Sequence, residues 1–258
     1  MQSSTLLLMS CIGVLPKLDH AIFADTGWER EAVYRHLEWL EGEAAKAGIP
    51  VHRVTAGNIR LDLMDNADTT RGNGRMPFWV RNKKGKVGKL KRQCTHDYKI
   101  VPVERKIKEL LGLKRTARWP TSKVVEHWFG ISVDENHRMR FSKAHWKTHE
   151  YPLIFGLPRA YSRHDCKLWC QSQGFPQPPD SSCIGCSLHG NHAWRNLSPS
   201  EFAEAVEFDE AIRRRPNCQG DLFVHREGRP LIQIDLTTSE ERGQSGWREH
   251  CDSAYCGT

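Results

Sequence analysis

The stretch HAIFADTGWEREAVYRHLEWLEGEAAKAGIPVHRVT, residues 20–55, decides the fold class. Residues 20–25 are largely apolar and run into a polar turn, which predicts a short buried strand ending at Asp25. Apolar side chains then recur at helical spacing through residues 29–47. That spacing predicts a helix with one apolar face directly after the strand.

A second strand and an earlier helix extend this pattern in both directions along the chain. Gly48 and Pro50 end the helix, and residues 51–54 predict the second strand. Residues 4–12 (STLLLMSCI) predict a short apolar helix before the first strand. Helix, strand, helix and strand in this order are typical of α/β proteins, so we expect a three-layer, mostly parallel, Rossmann-like sheet. Sites in such sheets lie at the carboxyl ends of strands, where Asp25 falls.

The rest of the chain carries weaker local signals. Turn residues are frequent over residues 58–92, which predicts an irregular loop. Further predicted elements are helices over 99–111, 162–174 and 202–213, a strand over 124–132 and a hairpin over 222–234. We divide the chain into an α/β core, residues 1–160, and a cysteine-rich C-terminal region, residues 161–258.

The charge balance points to an anionic partner. The 258 residues carry a formal net charge of +7, which suits a nucleotide, a phosphate or a nucleic acid. A solvated basic face is the alternative. The densest basic run, residues 81–92 (RNKKGKVGKLKR), contains two glycines and no aromatic residue. We interpret it as a phosphate-contacting or solvated loop and not as a platform for stacking bases.

Cysteine usage indicates a reducing compartment. Nine cysteines in a chain of this length, with an odd count and a C-x-x-C pair, favour metal ligation over a secreted disulfide framework. No segment approaches the length and apolarity of a transmembrane helix. We therefore expect a cytoplasmic protein with no membrane partner.

The C-x-x-C pair, Cys183 and Cys186, is the most informative chemical motif. Two thiolates at this spacing can bind one metal centre from a single tight turn, and Gly185 permits the bend. Cys166 and Cys94 lie upstream, so chain folding has to bring them in. The pattern favours a metal or iron–sulfur centre with redox or sulfur chemistry. A structural zinc site and unligated buried cysteines are the alternatives.

Taken in order, five stretches of the chain resemble the phosphoadenosine phosphosulfate (PAPS) reductase family of the PP-loop (adenine nucleotide α-hydrolase-like) superfamily. The five are QSST (2–5), FADTGWE (23–29), RQCTHDYKIVP (92–102), WFGISVDENHR (128–138) and SRHDC…SSCIGC (162–186). Each stretch is weak alone, and the resemblance comes from all five in the family's order. It covers the chain from residue 2 to about residue 194.

The resemblance implies an adenine-nucleotide site in the α/β core, for ATP or an adenylylated substrate with Mg²⁺. In such a core, backbone amides at a helix N-terminus hold phosphate. The matching positions are Gln2, Ser3 and Ser4 for the phosphate loop, Asp25, Thr26 and Gly27 for the strand end that lines the pocket, and Glu135 and Arg138 near the substrate anion.

The chain departs from the family pattern at its start. It begins inside the phosphate loop, with Gln2 at the family's Asp position, and lacks the loop glycines and the strand before them. Either Met1 is not the true start, or the loop is degenerate and phosphate binding is weakened.

The resemblance also implies a set of metal ligands. Cys94 matches one of two adjacent cysteines in the iron–sulfur members of the family, and Thr95 stands where the other would be. We expect Cys166 to replace it, with Cys170 as the alternative fourth ligand. The expected four-thiolate set for a 4Fe-4S cluster, or for zinc, is Cys94, Cys166, Cys183 and Cys186.

The tail carries two further cysteines, Cys251 and Cys256. In a sulfur-transferring enzyme, such residues carry a persulfide or close a redox disulfide, and incidental thiols are the alternative. The family's reductases have a Gly after the tail Cys, whereas Asp252 follows Cys251 here. Direct PAPS reduction is therefore not supported at these residues.

These observations lead to one expected activity with two alternatives. We expect ATP-dependent sulfur transfer, in which an acceptor is adenylylated and sulfur from a cluster or persulfide then displaces AMP. Its partners would be a sulfur or electron donor protein and a nucleic-acid or other anionic acceptor. A reductase of adenylylated sulfate is the first alternative. An inactive, zinc-stabilised nucleotide- or nucleic-acid-binding protein is the second.

Overall fold

The computed structural model describes residues 1–65, 76–215, 218–237 and 241. These residues have mixed α/β structure and form two compact units that are interleaved along the sequence. Unit 1 comprises Met1–Phe23, Glu31–Val54 and Val103–Ser181, and unit 2 comprises Ala24–Arg30, Thr55–Pro102 and the described residues from Ser182 onward. The sequence suggested a single boundary after residue 160, whereas residues 161–181 lie in unit 1.

The described residues contain helices and strands of modest length. The helices are α1 (Gln2–Cys11), α2 (Glu31–Lys46), α3 (Ile59–Met64), α4 (Val101–Leu110), α5 (Pro152–Phe155), α6 (Arg163–Ser172), α7 (Asn191–Arg195) and α8 (Pro199–Ala211). The strands are β1 (Ala21–Asp25), β2 (Val51–Thr55), β3 (Trp79–Asn82), β4 (Val87–Lys89), β5 (Val125–Trp128), β6 (Lys147–Glu150) and β7 (Gly220–Phe223). A π-helical turn covers His96–Ile100, and 3₁₀ turns cover Val133–Arg138 and Leu231–Gln233.

The sheets are small. Strands β1 and β2 form one pair, and β5 and β6 form a parallel pair. In unit 2, strand β3 lies between β4 and β7 and is antiparallel to both. The α/β class predicted from the sequence is therefore confirmed, while the single three-layer sheet stays a prediction.

The predicted order of helix, strand, helix and strand is confirmed by α1, β1, α2 and β2. Helix α2 forms because its apolar residues share one face, and Val33, Leu37, Leu40 and Ala44 on that face are all buried. Helix α1 is buried over most of its length. Two apolar clusters of unit 1 include residues of α1, one with Cys170 and one with Cys166 of α6.

Two predictions about local structure are wrong. Residues 58–92 were expected to form an irregular loop, yet α3, β3 and β4 lie within them; residues 66–75 lie outside the described part. Asn58 starts α3 because its side chain accepts hydrogen bonds from the amides of Arg60 and Leu61, at 3.0 and 3.1 Å. A hairpin was expected over residues 222–234, but β7 pairs with β3 and a 3₁₀ turn follows it.

Unit 2 has an apolar core of its own, built from α3, α8, β7 and the segment around Trp28. The rings of Trp28 and Phe208 meet edge to face, with centroids 4.6 Å apart. Helix α8 begins three residues earlier than predicted, because Ser198 and Glu201 form a reciprocal capping box. None of the helices in the described part of the chain is both long and apolar enough to cross a membrane.

Candidate functional site

The loop after β1 has the tight geometry expected of a strand-end site. Asp25 accepts a hydrogen bond from the amide of Gly27, with 2.7 Å between Oδ1 and N. Gly27 has φ of 72°, and an added Cβ would lie 2.9 Å from the Cα of Asn58. Both observations require glycine at this position, because an L side chain would be strained and would collide with α3. The predicted strand-end residues Asp25, Thr26 and Gly27 are thus held in one defined conformation.

The C-x-x-C turn packs directly against this loop within unit 2. Cys183 forms an isolated antiparallel bridge with Glu29, and the amide of Ile184 donates to the carbonyl of Trp28 at 3.0 Å. The amide of Cys186 donates to the carbonyl of Cys183 at 3.1 Å, which closes the turn. A Cβ at Gly185 would lie 2.2 Å from the Trp28 ring. Glycine is therefore needed here for packing as well as for the bend that the sequence suggested.

Four side chains lie near the Cys183 thiol. Together with Cys183 they form what we call the thiol–carboxylate cluster, whose other members are Thr26, Glu29, Lys99 and Cys94. The Thr26 hydroxyl lies 3.3 Å from Cys183 Sγ and donates to Glu29 Oε1 at 3.1 Å. Glu29 Oε1 lies 4.0 Å from Cys183 Sγ and 3.8 Å from Lys99 Nζ. Thr26 and Glu29 are buried, so these interactions act in a medium that screens them weakly.

The surroundings of Cys183 keep its thiol protonated. Burial, and then the nearby Glu29 carboxylate, raise the pKa of Cys183 to about 12. Cys94 acts in the same direction, while Lys99 and the Thr26 hydroxyl oppose the rise. A thiolate forms here only if its proton is taken up by a neighbouring base or displaced by a metal ion.

The four predicted metal ligands divide between the two units. Cys94, Cys183 and Cys186 belong to unit 2, and Cys166 belongs to unit 1. Cys166 is fully buried in an apolar cluster with Leu6 and Leu153, and burial raises its pKa to about 12. Over the residues that the structure describes, no group of three or more His, Cys, Asp or Glu side chains is arranged to hold a metal ion. The four-cysteine assignment stays a prediction.

A second group of predicted residues meets inside unit 1. The Gln2 amide donates to Glu135 Oε2 at 3.1 Å and to the Ser132 hydroxyl at 3.3 Å. Arg138 pairs with the other Glu135 oxygen at 2.9 Å. Gly130 allows the close approach, because a Cβ there would lie 2.4 Å from the Ser3 amide nitrogen. Gln2, Ser3, Glu135 and Arg138 therefore come together although 133 residues separate Gln2 from Glu135.

The other predicted positions have separate surroundings. The Ser4 hydroxyl lies 3.2 Å from His36 Nε2, and burial lowers the pKa of His36 to about 4, so that ring is neutral at physiological pH. The thiol of Cys170 lies 3.6 Å from the Thr5 hydroxyl. Cys251 and Cys256 lie outside the described residues.

Sequence reasoning missed three residues that shape the site. Glu29, Lys99 and Asn58 hold the strand-end loop and the cysteine turn, yet each was treated as part of a helix or loop. Glu29 had a usable signal, because it lies within one of the five stretches that carry the resemblance, directly after the strand-end loop. For Lys99 and Asn58, neighbouring positions in the sequence give no such indication.

Comparisons with known proteins add no relative. No protein-family model matches this chain, and neither the curated proteins nor the solved structures include a significant match.

Proposed function

We propose that this protein binds an adenine nucleotide on a PP-loop-like α/β core and uses the unit 2 cysteines for ATP-dependent sulfur transfer. One observation carries the proposal: Thr26 of the strand-end loop lies 3.3 Å from Cys183 of the C-x-x-C turn, 157 residues away in sequence. The resemblance assigned the loop to nucleotide binding and the turn to sulfur chemistry, and in unit 2 the two are in contact.

The proposed reaction has two balanced steps. An acceptor oxygen attacks the α-phosphorus of ATP, and pyrophosphate leaves with the electrons of the broken P–O bond. In the second step the terminal sulfur of a donor persulfide attacks the activated carbon and AMP leaves, which joins donor and acceptor through a disulfide. Two electrons from an external thiol donor then cleave this S–S bond and leave the thiolated acceptor and the donor thiol. The thiol–carboxylate cluster supplies proton transfer for this chemistry: Glu29 Oε1, at 4.0 Å, accepts the Cys183 proton, and Lys99 stabilises the resulting thiolate.

A metal centre fits only part of the predicted ligand set. Cys183 and Cys186 share one turn, and the Cys94 thiol lies near enough to affect the pKa of Cys183. Thiols are the donors that an iron–sulfur cluster or zinc takes, but within the described residues these three are not arranged as a metal-binding group. Cys166 lies in an apolar cluster of unit 1, and its place in the ligand set stays a prediction. An iron–sulfur cluster held here would supply electrons or sulfur.

Unit 1 offers a second feature that supports anion binding. Arg138 uses one amino nitrogen for Glu135, while its buried Nε makes no hydrogen bond with any described residue. An unused buried donor costs about 1–3 kcal/mol, and a phosphate oxygen would satisfy it. This donor fits the position near a substrate anion that the resemblance assigned to Arg138.

Calorimetric titration with Mg-ATP tests the nucleotide part of the proposal. Arg138→Gln should weaken binding about tenfold or more, because one charge-assisted hydrogen bond to phosphate contributes about 1.5–3 kcal/mol. Arg159→Gln is the matched control, since Arg159 is exposed and pairs with Asp165 on the surface. Absence of binding to the unmodified protein, or equal weakening by both substitutions, would contradict the assignment.

A further inference from the structure

The excess positive charge of this chain is concentrated in one stretch, which comprises most of the β3–β4 hairpin and the three residues after it. Seven of the 38 basic residues lie within residues 81–92, which contain no acidic residue. The rest of the chain therefore has 31 basic and 31 acidic residues and is formally neutral. The net charge of +7 thus equals the charge of this one stretch of sequence.

Most of this segment belongs to an ordered β-hairpin, residues 79–89, formed by β3 and β4. The carbonyl of Asn82 accepts from the amide of Gly85 at 2.9 Å. The Asn82 side chain accepts from the amides of Lys84 and Lys86, both at 3.0 Å. Gly85 adopts φ of 78°, which closes the turn. The turn therefore holds Lys83, Lys84 and Lys86 together at the tip of the hairpin.

No interaction within the described residues explains why the three positions at the hairpin tip are lysines. All three are exposed, and none forms an ion pair with a carboxylate among the described residues. Lysines on an edge strand protect a sheet against aggregation, and this explains Lys89 of β4. It does not explain Lys83 and Lys84, which lie in the turn between the strands.

The strand register separates the two faces of the hairpin. Val80 and Leu222 pair across β3 and β7 and pack on the unit 2 core. On the other face, Lys89 Nζ lies 5.6 Å from the centre of the Trp79 ring. The Trp79 nitrogen donates to the carbonyl of Ser187 at 3.0 Å. This face carries Lys89 and Arg81, with Asp221 of β7 opposite Arg81. Its half-buried tryptophan is already engaged and does not offer a platform for stacking bases.

We propose that the β3–β4 hairpin binds the phosphate backbone of duplex nucleic acid. Regularly spaced phosphates match a row of flexible lysine ammonium groups on a narrow ribbon, and such contacts carry no base sequence information. A duplex fits better than a single strand, because single-strand binding uses exposed aromatic side chains, which this face lacks. The hairpin's role does not depend on nucleotide or sulfur chemistry.

Fluorescence anisotropy with a labelled 20-base-pair DNA duplex, over about 50–200 mM salt, tests this proposal. The triple variant Lys83→Gln, Lys84→Gln, Lys86→Gln should raise Kd at least tenfold at 100 mM salt and reduce the salt slope by about three. The variant keeps Asn82 and Gly85, so the turn should still form. A circular dichroism melt checks that the three substitutions do not lower Tm.

The matched control removes three exposed lysines of unit 1: Lys114→Gln, Lys123→Gln, Lys143→Gln. It changes the net charge equally and should raise Kd less than threefold. Equal losses in the two triple variants would overturn the proposal, because they would show general electrostatic attraction. Tighter binding to a single strand of the same length, or binding only to phosphatidylserine vesicles, would also overturn it. Failure of the nucleotide titration would leave this result unaffected.

Discussion

Two cysteine pairs in this chain look alike in sequence and differ in their surroundings. Cys166 and Cys170 lie one helical turn apart in the apolar clusters of unit 1. Cys183 and Cys186 share a turn in unit 2, beside a carboxylate and an ammonium group. The pKa of Cys166 and that of Cys183 are both raised to about 12 by burial. Burial therefore does not distinguish the two cysteines. What differs is the carboxylate and the ammonium group beside Cys183, on which the proposed proton transfer depends.

Packing around the cysteine turn offers the largest effect on stability. Gly185→Ala places a Cβ 2.2 Å from the Trp28 ring. Overpacking of this kind typically costs about 1–3 kcal/mol, so the urea midpoint should fall. Gly42→Ala in α2 is the control, because nothing lies within 4 Å of its added Cβ, and alanine favours a helix by about 1 kcal/mol over glycine. A Gly185→Ala midpoint equal to that of the unmodified protein would break the proposed contact between the turn and Trp28.

Substitution of the buried Cys166 should have a smaller effect on stability, which appears as a change in how the free energy of unfolding depends on pH. Cys166 has a raised pKa, from 9.0 to about 12, so the folded state holds its proton more tightly than the unfolded state does. Its stabilising contribution is complete below pH 9 and declines between pH 9 and 12. Cys166→Ala should therefore show a shallower fall in the free energy of unfolding over this range. Urea titrations at pH 8 and 10.5 measure it, and parallel curves for the two proteins would contradict the assignment.

Local pattern was enough for the first part of the fold. The strand, helix and strand from residue 20 to residue 55 were predictable, because the spacing of apolar residues and the end of the helix at Gly48–Pro50 depend only on residues close together in the sequence. Strands β3 and β4 were not predictable, because strands of four and three residues are too short to show the alternation of apolar and polar side chains. Pairing with β7, more than a hundred residues away, stabilises β3 instead.

The site was predictable to a similar extent. The strand-end loop and the C-x-x-C turn were identified separately, and the contact between Thr26 and Cys183 follows only from folding. The environment of Cys166 could not be read from spacing, because a cysteine on a helix looks the same whether it is a ligand or a core residue. In the structure Cys166 packs in one apolar cluster with Leu153.

The most direct test is the iron, zinc and acid-labile sulfide content of protein purified without oxygen. We predict iron and sulfide in matching amounts in the unmodified protein and in Cys11→Ser, a control outside the predicted ligand set, and loss of both in Cys183→Ser. That outcome would place the metal centre at the C-x-x-C turn of unit 2. Equal metal content in the two variants, or stoichiometric zinc without sulfide in the unmodified protein, would contradict the account.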